Sequence, residues 1–185
     1  MKNVNDMFAK AMRYMAVIAF LMMATLVMAQ RQKEYIPKHM TFEGIEITGK
    51  AVDFVEKLEK KGFYVTRQDQ GDCYYMRRNS GWRGFKDCYI TVSYSPKSRT
   101  VSRVAVYIYT PDPESLYDYF KEKFKEEYLS GRPGTDNDNY SFQVRNKNAE
   151  WIGLVMLSKE MNTGTVNIVM GDMEGNGIAF AEGDQ

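Results

Sequence analysis

Two segments in the middle of the chain alternate between apolar and polar side chains, and this alternation constrains the fold most. They read FKDCYITVSYS over residues 85–95 and TVSRVAVYIYT over residues 100–110. Both are rich in the Val, Ile, Thr and Tyr that favour β-strands, and the intervening PKSR is typical of a hairpin turn. Because side chains alternate across a strand, the pattern predicts an antiparallel sheet covered on one face only.

Shorter stretches of the same kind occur on both sides of this hairpin. We predict strands at FYVTRQD (63–69), DCYYMRRN (72–79), YSFQVRN (140–146), WIGLVMLSK (151–159) and TVNIVMGD (165–172). The chain is therefore mainly β in its second half as well as in its middle.

Two segments have the three-to-four-residue spacing of apolar side chains that indicates a helix. The first runs from about Lys50 to Lys61 and ends at Gly62, with an apolar face of Ala51, Phe54, Val55 and Leu58. The second covers residues 113–130, where Asp112 is a suitable cap and Pro113 fits the first helical position. Its apolar face consists of Leu116, Tyr117, Phe120, Phe124 and Tyr128.

The order of these elements suggests an internal repeat. Each helix is followed by strands, and the closing hairpins YITVSYSPKSRTVSRVAVYI and WIGLVMLSKEMNTGTVNIVM have similar patterns. We therefore predict an α+β fold made of two helix-plus-antiparallel-sheet units in tandem, 40–110 and 111–172, within a single domain over residues 40–172. If the units joined edge to edge, both helices would lie on one face of the sheet.

The N-terminus has the pattern of a secretory signal peptide. A basic start containing Lys2, Lys10 and Arg13 precedes an uncharged apolar run from Tyr14 to Ala29, which is too short for a typical membrane span. We predict cleavage between Ala29 and Gln30, a periplasmic or secreted product, and no membrane span after cleavage. An uncleaved N-terminal anchor is the alternative.

Removal of residues 1–29 would leave 156 residues, which is enough for one domain with a sizeable core. We predict a flexible lead-in over residues 30–39 and a loosely held tail over residues 173–185. The signal takes three of the 25 basic and one of the 24 acidic residues, so the rest has a net charge of −1. A nearly neutral domain lacks the long-range positive field of a nucleic-acid-binding protein.

The two cysteines predict a disulfide if the protein is exported. Oxidising compartments favour pairing of an even number of cysteines, and two cysteines without a nearby His make a poor metal site. A hairpin turning at Ser80-Gly81 would place Cys73 directly opposite Cys88. We therefore expect a Cys73–Cys88 bridge.

The segment HMTFEGIEITGKAVDFVEKLEKKGF (39–63) resembles the opening of a family of uncharacterised exported proteins from gut anaerobic bacteria. The matching positions are Phe42, Gly44, Ile45, Ile47, Gly49, Lys61, Gly62 and Phe63. The predicted repeat is also similar in topology to the tandem α/β architecture of β-lactamase-inhibitor proteins. The family resemblance implies export but no activity and no catalytic residues, and a topological likeness does not transfer function.

The hairpin between the cysteines is the most distinctive candidate binding surface. The stretch MRRNSGWRGFK (76–86) has no acidic residue, and its candidate binding residues are Arg77, Arg78, Trp82, Arg83 and Lys86. Arg and Trp are enriched among interface hot spots, and a disulfide at the base would hold the loop in shape. The alternative is that Trp82 folds back onto the sheet while the arginines cover apolar surface.

Other candidate sites are weaker. His39 is the only histidine, so any Ser-His or Cys-His pair would have to use it. The stretch GDMEGNG (171–177) matches the start of a calcium loop, but Gly183 occupies the twelfth position, where an acid is required. We interpret it as a polar tail and residues 136–139 as a turn. The sequence therefore predicts no metal site and no cofactor.

Three functions follow from these observations. The first is an exported, non-catalytic binding or protein-interaction module of the cell envelope, whose partner is an envelope protein or an anionic glycan. The second is a small-ligand or glycan binder that uses a tyrosine-rich sheet containing Tyr74, Tyr75, Tyr89, Tyr94, Tyr107 and Tyr109. The third is an envelope hydrolase that uses paired carboxylates, although nothing in the sequence selects a pair.

Overall fold

One antiparallel sheet of eight strands dominates the part of the chain that the structure describes. The computed structural model describes residues 38–69, 72–128, 131–133 and 139–172, with the backbone alone for 131–133 and Asp172. The strands are β3 (Phe63–Gln68), β4 (Cys73–Arg78), β5 (Cys88–Tyr94), β6 (Val101–Tyr109), β7 (Gly131–Pro133), β8 (Asn139–Arg145), β9 (Trp151–Glu160) and β10 (Thr165–Asp172). Their order across the sheet is β3-β4-β5-β6-β10-β9-β8-β7.

A small separate hairpin precedes the sheet. Its strands are β1 (Thr41–Phe42) and β2 (Ile45–Glu46), and they pair with each other only. Phe42 and Ile47 are almost completely buried. The hairpin therefore contributes to the core rather than to the edge of the large sheet.

Two helices lie against the apolar face of the sheet. Helix α1 (Ala51–Glu59) buries Phe54 and Leu58, and helix α2 (Pro113–Glu127) buries Phe120 and Phe124. These side chains belong to the same cluster of buried residues. The Asp112 carboxylate accepts a hydrogen bond from the backbone N–H of Ser115 at 3.0 Å, which caps the start of α2 as the sequence predicted.

The predicted division into two helix-plus-sheet units in tandem is wrong. In the centre of the sheet β6 pairs with β10 from Arg103 opposite Gly171 to Tyr109 opposite Thr165. Strands β3 to β6 and strands β7 to β10 therefore form one continuous sheet without a boundary between two units. The physical reason is that two separate units would each leave a long, Val-rich edge strand with unpaired backbone groups.

The predicted Cys73–Cys88 disulfide is not formed, and both cysteines are free. Cys73 lies opposite Ser93, and Cys88 lies five residues before Ser93 on β5. At ~3.4 Å per residue this is a separation of ~17 Å, far beyond the ~4.4–6.8 Å between the Cα atoms of a bridge. The two side chains also lie on opposite faces of the sheet. Residues that face each other on β4 and β5 are both odd-numbered or both even-numbered, whereas 73 is odd and 88 is even.

Candidate functional site

Trp82, the proposed centre of the binding hairpin, lies in the core. Its side chain is 2% exposed. Its ring stacks between Phe42 and Phe120, with ring centroids 6.1 and 6.0 Å away. The prediction of an exposed Trp82 on a docking loop is therefore wrong, and the alternative interpretation describes this residue correctly.

The turn between β4 and β5 buries Trp82 because it contains a second, tighter turn. Trp82 and Phe85 exchange backbone hydrogen bonds of 3.0 and 2.9 Å. Gly81 has a φ of +70°, and a Cβ atom at this position would lie 2.0 Å from the carbonyl oxygen of Phe85. Only glycine fits this close approach, which directs the chain, and with it the indole, back over the core.

The two arginines beside Trp82 are engaged within the protein. The Arg78 side chain donates to the Gly81 carbonyl at 2.7 Å and to the Glu43 carboxylate at 3.2 Å. The Arg83 guanidinium donates to both oxygens of Glu127 at 3.2 and 3.3 Å, and it lies 5.0 Å from the Trp82 ring. These contacts fasten the hairpin to its neighbours. Arg77 and Lys86 remain exposed, so the five predicted residues do not form a common binding surface.

The opposite, open face of the sheet carries a row of aromatic side chains. Tyr107 lies directly opposite Tyr89, with ring centroids 4.6 Å apart and ring planes 6° apart. Tyr75 continues the row at 6.4 Å from Tyr89, and the Arg67 guanidinium covers the Tyr75 ring at 4.8 Å. The tyrosine row is thus the series Arg67, Tyr75, Tyr89 and Tyr107 across four neighbouring strands.

The geometry of the tyrosine row decides which chemical groups it offers to a ligand. Because both faces of the Tyr89 ring are covered by its neighbours, the row presents ring edges and hydroxyl groups. Burial raises the pKa of Tyr89 to about 12, and the neighbouring Tyr109 and Tyr107 add to the rise. Its hydroxyl is therefore protonated at neutral pH, and a protonated hydroxyl can both donate and accept a hydrogen bond.

A groove of about 740 Å³ lies beside the tyrosine row on the open face. Most of its lining residues carry hydroxyl or charged groups. The lining consists of Asp69, Asp72, Cys73, Tyr75, Tyr89, Thr91, Ser93, Tyr94, Ser95, Pro96, Ser102, Arg103 and Tyr107. We call this site the open-face groove.

Two charged residues of the open-face groove have contrasting surroundings. The Asp69 carboxylate accepts a hydrogen bond of 2.7 Å from Arg67. This bond lowers the pKa of the Asp69 carboxyl, and a hydrogen bond from Tyr75 lowers it further. Arg103, in contrast, donates through Nε to the Ser93 hydroxyl at 3.4 Å and has no carboxylate partner within the described residues. The groove therefore combines a neutralised acid with an unpaired guanidinium.

Cys73 contributes a thiol to the open-face groove, but its surroundings do not activate it. Burial raises the pKa of the Cys73 thiol. The Ser93 hydroxyl approaches its sulfur at 4.0 Å. A nucleophilic cysteine requires a lowered pKa, so the geometry gives Cys73 no catalytic role.

The remaining sequence candidates do not gather into a reactive site. His39 lines a second cleft of about 360 Å³, and neither Ser nor Cys is among the described residues around it. The calcium-like stretch and the cluster at 136–139 both lie mostly outside the described residues. Over residues 38–69, 72–128 and 139–171 no three His, Cys, Asp or Glu side chains could hold a metal ion together. No helix in the described part of the chain is long and apolar enough to cross a membrane.

Sequence reasoning identified the tyrosines but not the groove. Of the six tyrosines predicted for the sheet, Tyr75, Tyr89, Tyr107 and Tyr109 lie on the open face, whereas Tyr94 packs into the core and Tyr74 against it. Ser93 and Arg103 were missed because only the register of β5 with β6 brings them together. The available signal was the alternation of Ser93 with the apolar Val92 and Tyr94, which places Ser93 on the open face.

Comparison with protein-family models, with curated proteins and with solved structures finds no match for this chain. Neither the family resemblance of residues 39–63 nor the likeness to β-lactamase-inhibitor proteins is tested by these comparisons.

Proposed function

We propose that this protein is an exported, non-catalytic binding module that holds a glycan in the open-face groove. The observation that carries the proposal is a groove of about 740 Å³ whose lining is rich in hydroxyl groups. This size is within the usual ~300–1,000 Å³ of ligand sites. A sugar carries hydroxyl groups around its ring, and side-chain hydroxyls match them because they both donate and accept hydrogen bonds.

The rigidity of the groove supports a binding role. Thr91 lies at the centre of β5 and Ser93 near its end, where both are paired with β4 and β6, and Tyr89 is fixed between two other rings. Groups on regular strands are held more precisely than groups on loops, and a preorganised site loses less entropy when a ligand binds. The tyrosine row thus forms one wall of the groove that is already in place before a ligand binds.

The charges in the groove favour binding over hydrolysis. A glycosidase requires a carboxylic acid whose pKa is raised so that it can protonate the leaving group. Hydrogen bonds from Arg67 and Tyr75 instead lower the pKa of Asp69. The hydrolase hypothesis therefore has less support than the binding module.

The hairpin between the cysteines gives less support to a protein partner than the sequence suggested. Trp82 is buried, and Arg78 and Arg83 are engaged with carboxylates of the same chain. Binding there would have to break these contacts first. The open-face groove needs no such rearrangement.

A glycan array tests the proposal. The chain, expressed with its own N-terminus and purified, should bind at least one class of oligosaccharide. Ser93→Tyr places a bulky ring in the groove and should abolish binding. The matched control is Ser158→Tyr, the same substitution on the same face in β9 but outside the groove, and it should leave binding unchanged. Absence of binding across the array, or equal loss in both variants, would refute the proposal.

A further inference from the structure

We infer that the glycan carries a carboxylate and that Arg103 is the residue that recognises it. This inference rests on the proposed function, because it names the ligand class of the same groove. Its basis is the position of the Arg103 guanidinium in the open-face groove, together with the absence of a carboxylate partner among the described residues.

Arg103 is held in place but not neutralised. It lies opposite Ser93 on β5, whose hydroxyl accepts a hydrogen bond from Nε at 3.4 Å. Its two terminal nitrogens make no hydrogen bond to any residue in the described ranges. One nitrogen of the guanidinium therefore contacts the groove residue Ser93, while the other two are available to a ligand.

Three other arginines of the sheet and its turns pair with a carboxylate, whereas Arg77, Arg99 and Arg145 do not pair with one in the described part of the chain. Arg67 pairs with Asp69 at 2.6 Å, Arg78 with Glu43 at 3.2 Å and Arg83 with Glu127 at 3.2 Å. Arg103 lines the open-face groove and has no such partner within the described residues. An unpaired cation in a groove is the complement of an anionic ligand.

The chemistry of the two free nitrogens selects a planar anion. A guanidinium presents parallel N–H groups that match the two oxygens of a carboxylate, and such bidentate pairs are stronger than neutral hydrogen bonds. The neighbouring Ser93, Ser95 and Ser102 supply hydroxyls for the rest of a sugar ring. A uronic-acid residue combines the two features.

The acidic residues of the groove do not cancel this preference. Asp69 is paired with Arg67. Asp72 precedes β4, and strand β5 separates β4 from Arg103 on β6. Two strand spacings of ~4.8 Å place their backbones ~10 Å apart, about one Debye length in physiological salt. Asp72 therefore weakens the attraction of the groove for an anion, but it forms no ion pair with Arg103.

The test compares a panel of uronate oligosaccharides with their carboxyl-reduced, neutral counterparts by calorimetry. The acidic forms should bind the unaltered chain, and reduction should weaken binding by about tenfold to a hundredfold, as expected for a lost charge-assisted hydrogen bond. Arg103→Gln should cause a similar loss of affinity. Arg103→Lys should retain only part of the affinity, because a lysine keeps the charge but lacks the two parallel N–H groups of a guanidinium. The matched control is Arg77→Gln, which removes the same charge from an exposed arginine outside the groove and should have little effect.

The outcomes distinguish failure of the carboxylate inference from failure of the glycan proposal. Equal binding of acidic and neutral forms, with no effect of Arg103→Gln, would overturn the carboxylate inference and leave the glycan proposal standing. Binding of sulfated oligosaccharides in preference to uronates would also overturn it. Absence of binding by every acidic and neutral oligosaccharide would contradict both.

Discussion

The rings of Tyr89 and Tyr107 lie parallel on neighbouring strands, with their centroids 4.6 Å apart and their planes 6° apart. Tyr75 covers the other face of Tyr89 at 6.4 Å. Aromatic pairs of this kind stabilise a sheet by about 0.5–1.5 kcal/mol beyond the area they bury. The row therefore serves as structure for β4, β5 and β6 and as a wall of the open-face groove.

The pKa of Tyr89 predicts a loss of stability at high pH. Burial raises this pKa from about 10 in the unfolded chain to about 12 in the folded protein. The stabilisation is thus complete below pH ~10 and is lost as pH rises towards ~12, because the unfolded chain releases its proton first. Urea unfolding between pH 9 and 12 should show this decline. Tyr89→Phe, which keeps the stacked ring, should make the decline shallower, and an unchanged slope would contradict the assignment.

Truncation of Trp82 should destabilise the protein rather than weaken binding. Trp82→Ala removes a buried indole between two aromatic rings and should cost about 3–5 kcal/mol of unfolding free energy. Trp151 is the matched control, since it is the other tryptophan and is 43% exposed. Trp151→Ala should change stability by about 0.5 kcal/mol or less. Equal effects of the two substitutions in a urea titration would show that Trp82 is not in the core.

Both cysteines should be present as thiols in the folded protein. The register of β4 with β5 separates them by five residues and places them on opposite faces. Thiol labelling of the protein after denaturation without reductant should therefore find two reactive groups per chain. Under native conditions Cys73 should react before the buried Cys88. A count of zero after denaturation would contradict this strand register.

Sequence alone predicted the strands and helices better than their arrangement. The alternation in β5 and β6 and the capping pattern of Asp112 are local, and the structure contains both features. The register of β4 with β5 was wrong because it depends on the nine-residue connection from Asn79 to Asp87, which folds inward to bury Trp82. No local pattern distinguishes this from a simple turn at Ser80-Gly81.

The candidate site was hard to predict for a similar reason. A Trp next to several arginines resembles an interface hot spot, but Glu43 and Glu127, distant in sequence, bind those arginines in the folded chain. In the sequence Arg103 is one of several polar residues that alternate with apolar ones along a predicted strand. Its lack of a carboxylate partner among the described residues becomes visible only when all neighbours are placed.

The charge of Asp72 gives a further test of the anionic ligand. Asp72 lines the same groove as Arg103 but carries the charge of the proposed ligand. Asp72→Asn should therefore tighten binding of a uronate oligosaccharide by roughly twofold at low salt, and the gain should shrink as salt screens the repulsion. Asp53→Asn on the exposed side of α1 removes the same charge away from the groove and should not change affinity. Weaker binding of the Asp72→Asn protein would indicate that Asp72 contacts the ligand directly.

The central claim is that the protein binds its ligand on the open face of the sheet and not on the hairpin between the cysteines. NMR mapping of backbone amide shifts during titration with an oligosaccharide that binds the protein tests this claim most directly. The account predicts that the largest shift changes occur at Thr91, Ser93 and Arg103 and that the amide shifts of residues 77–86 remain unchanged. Shifts concentrated in residues 77–86, with the groove unaffected, would contradict it.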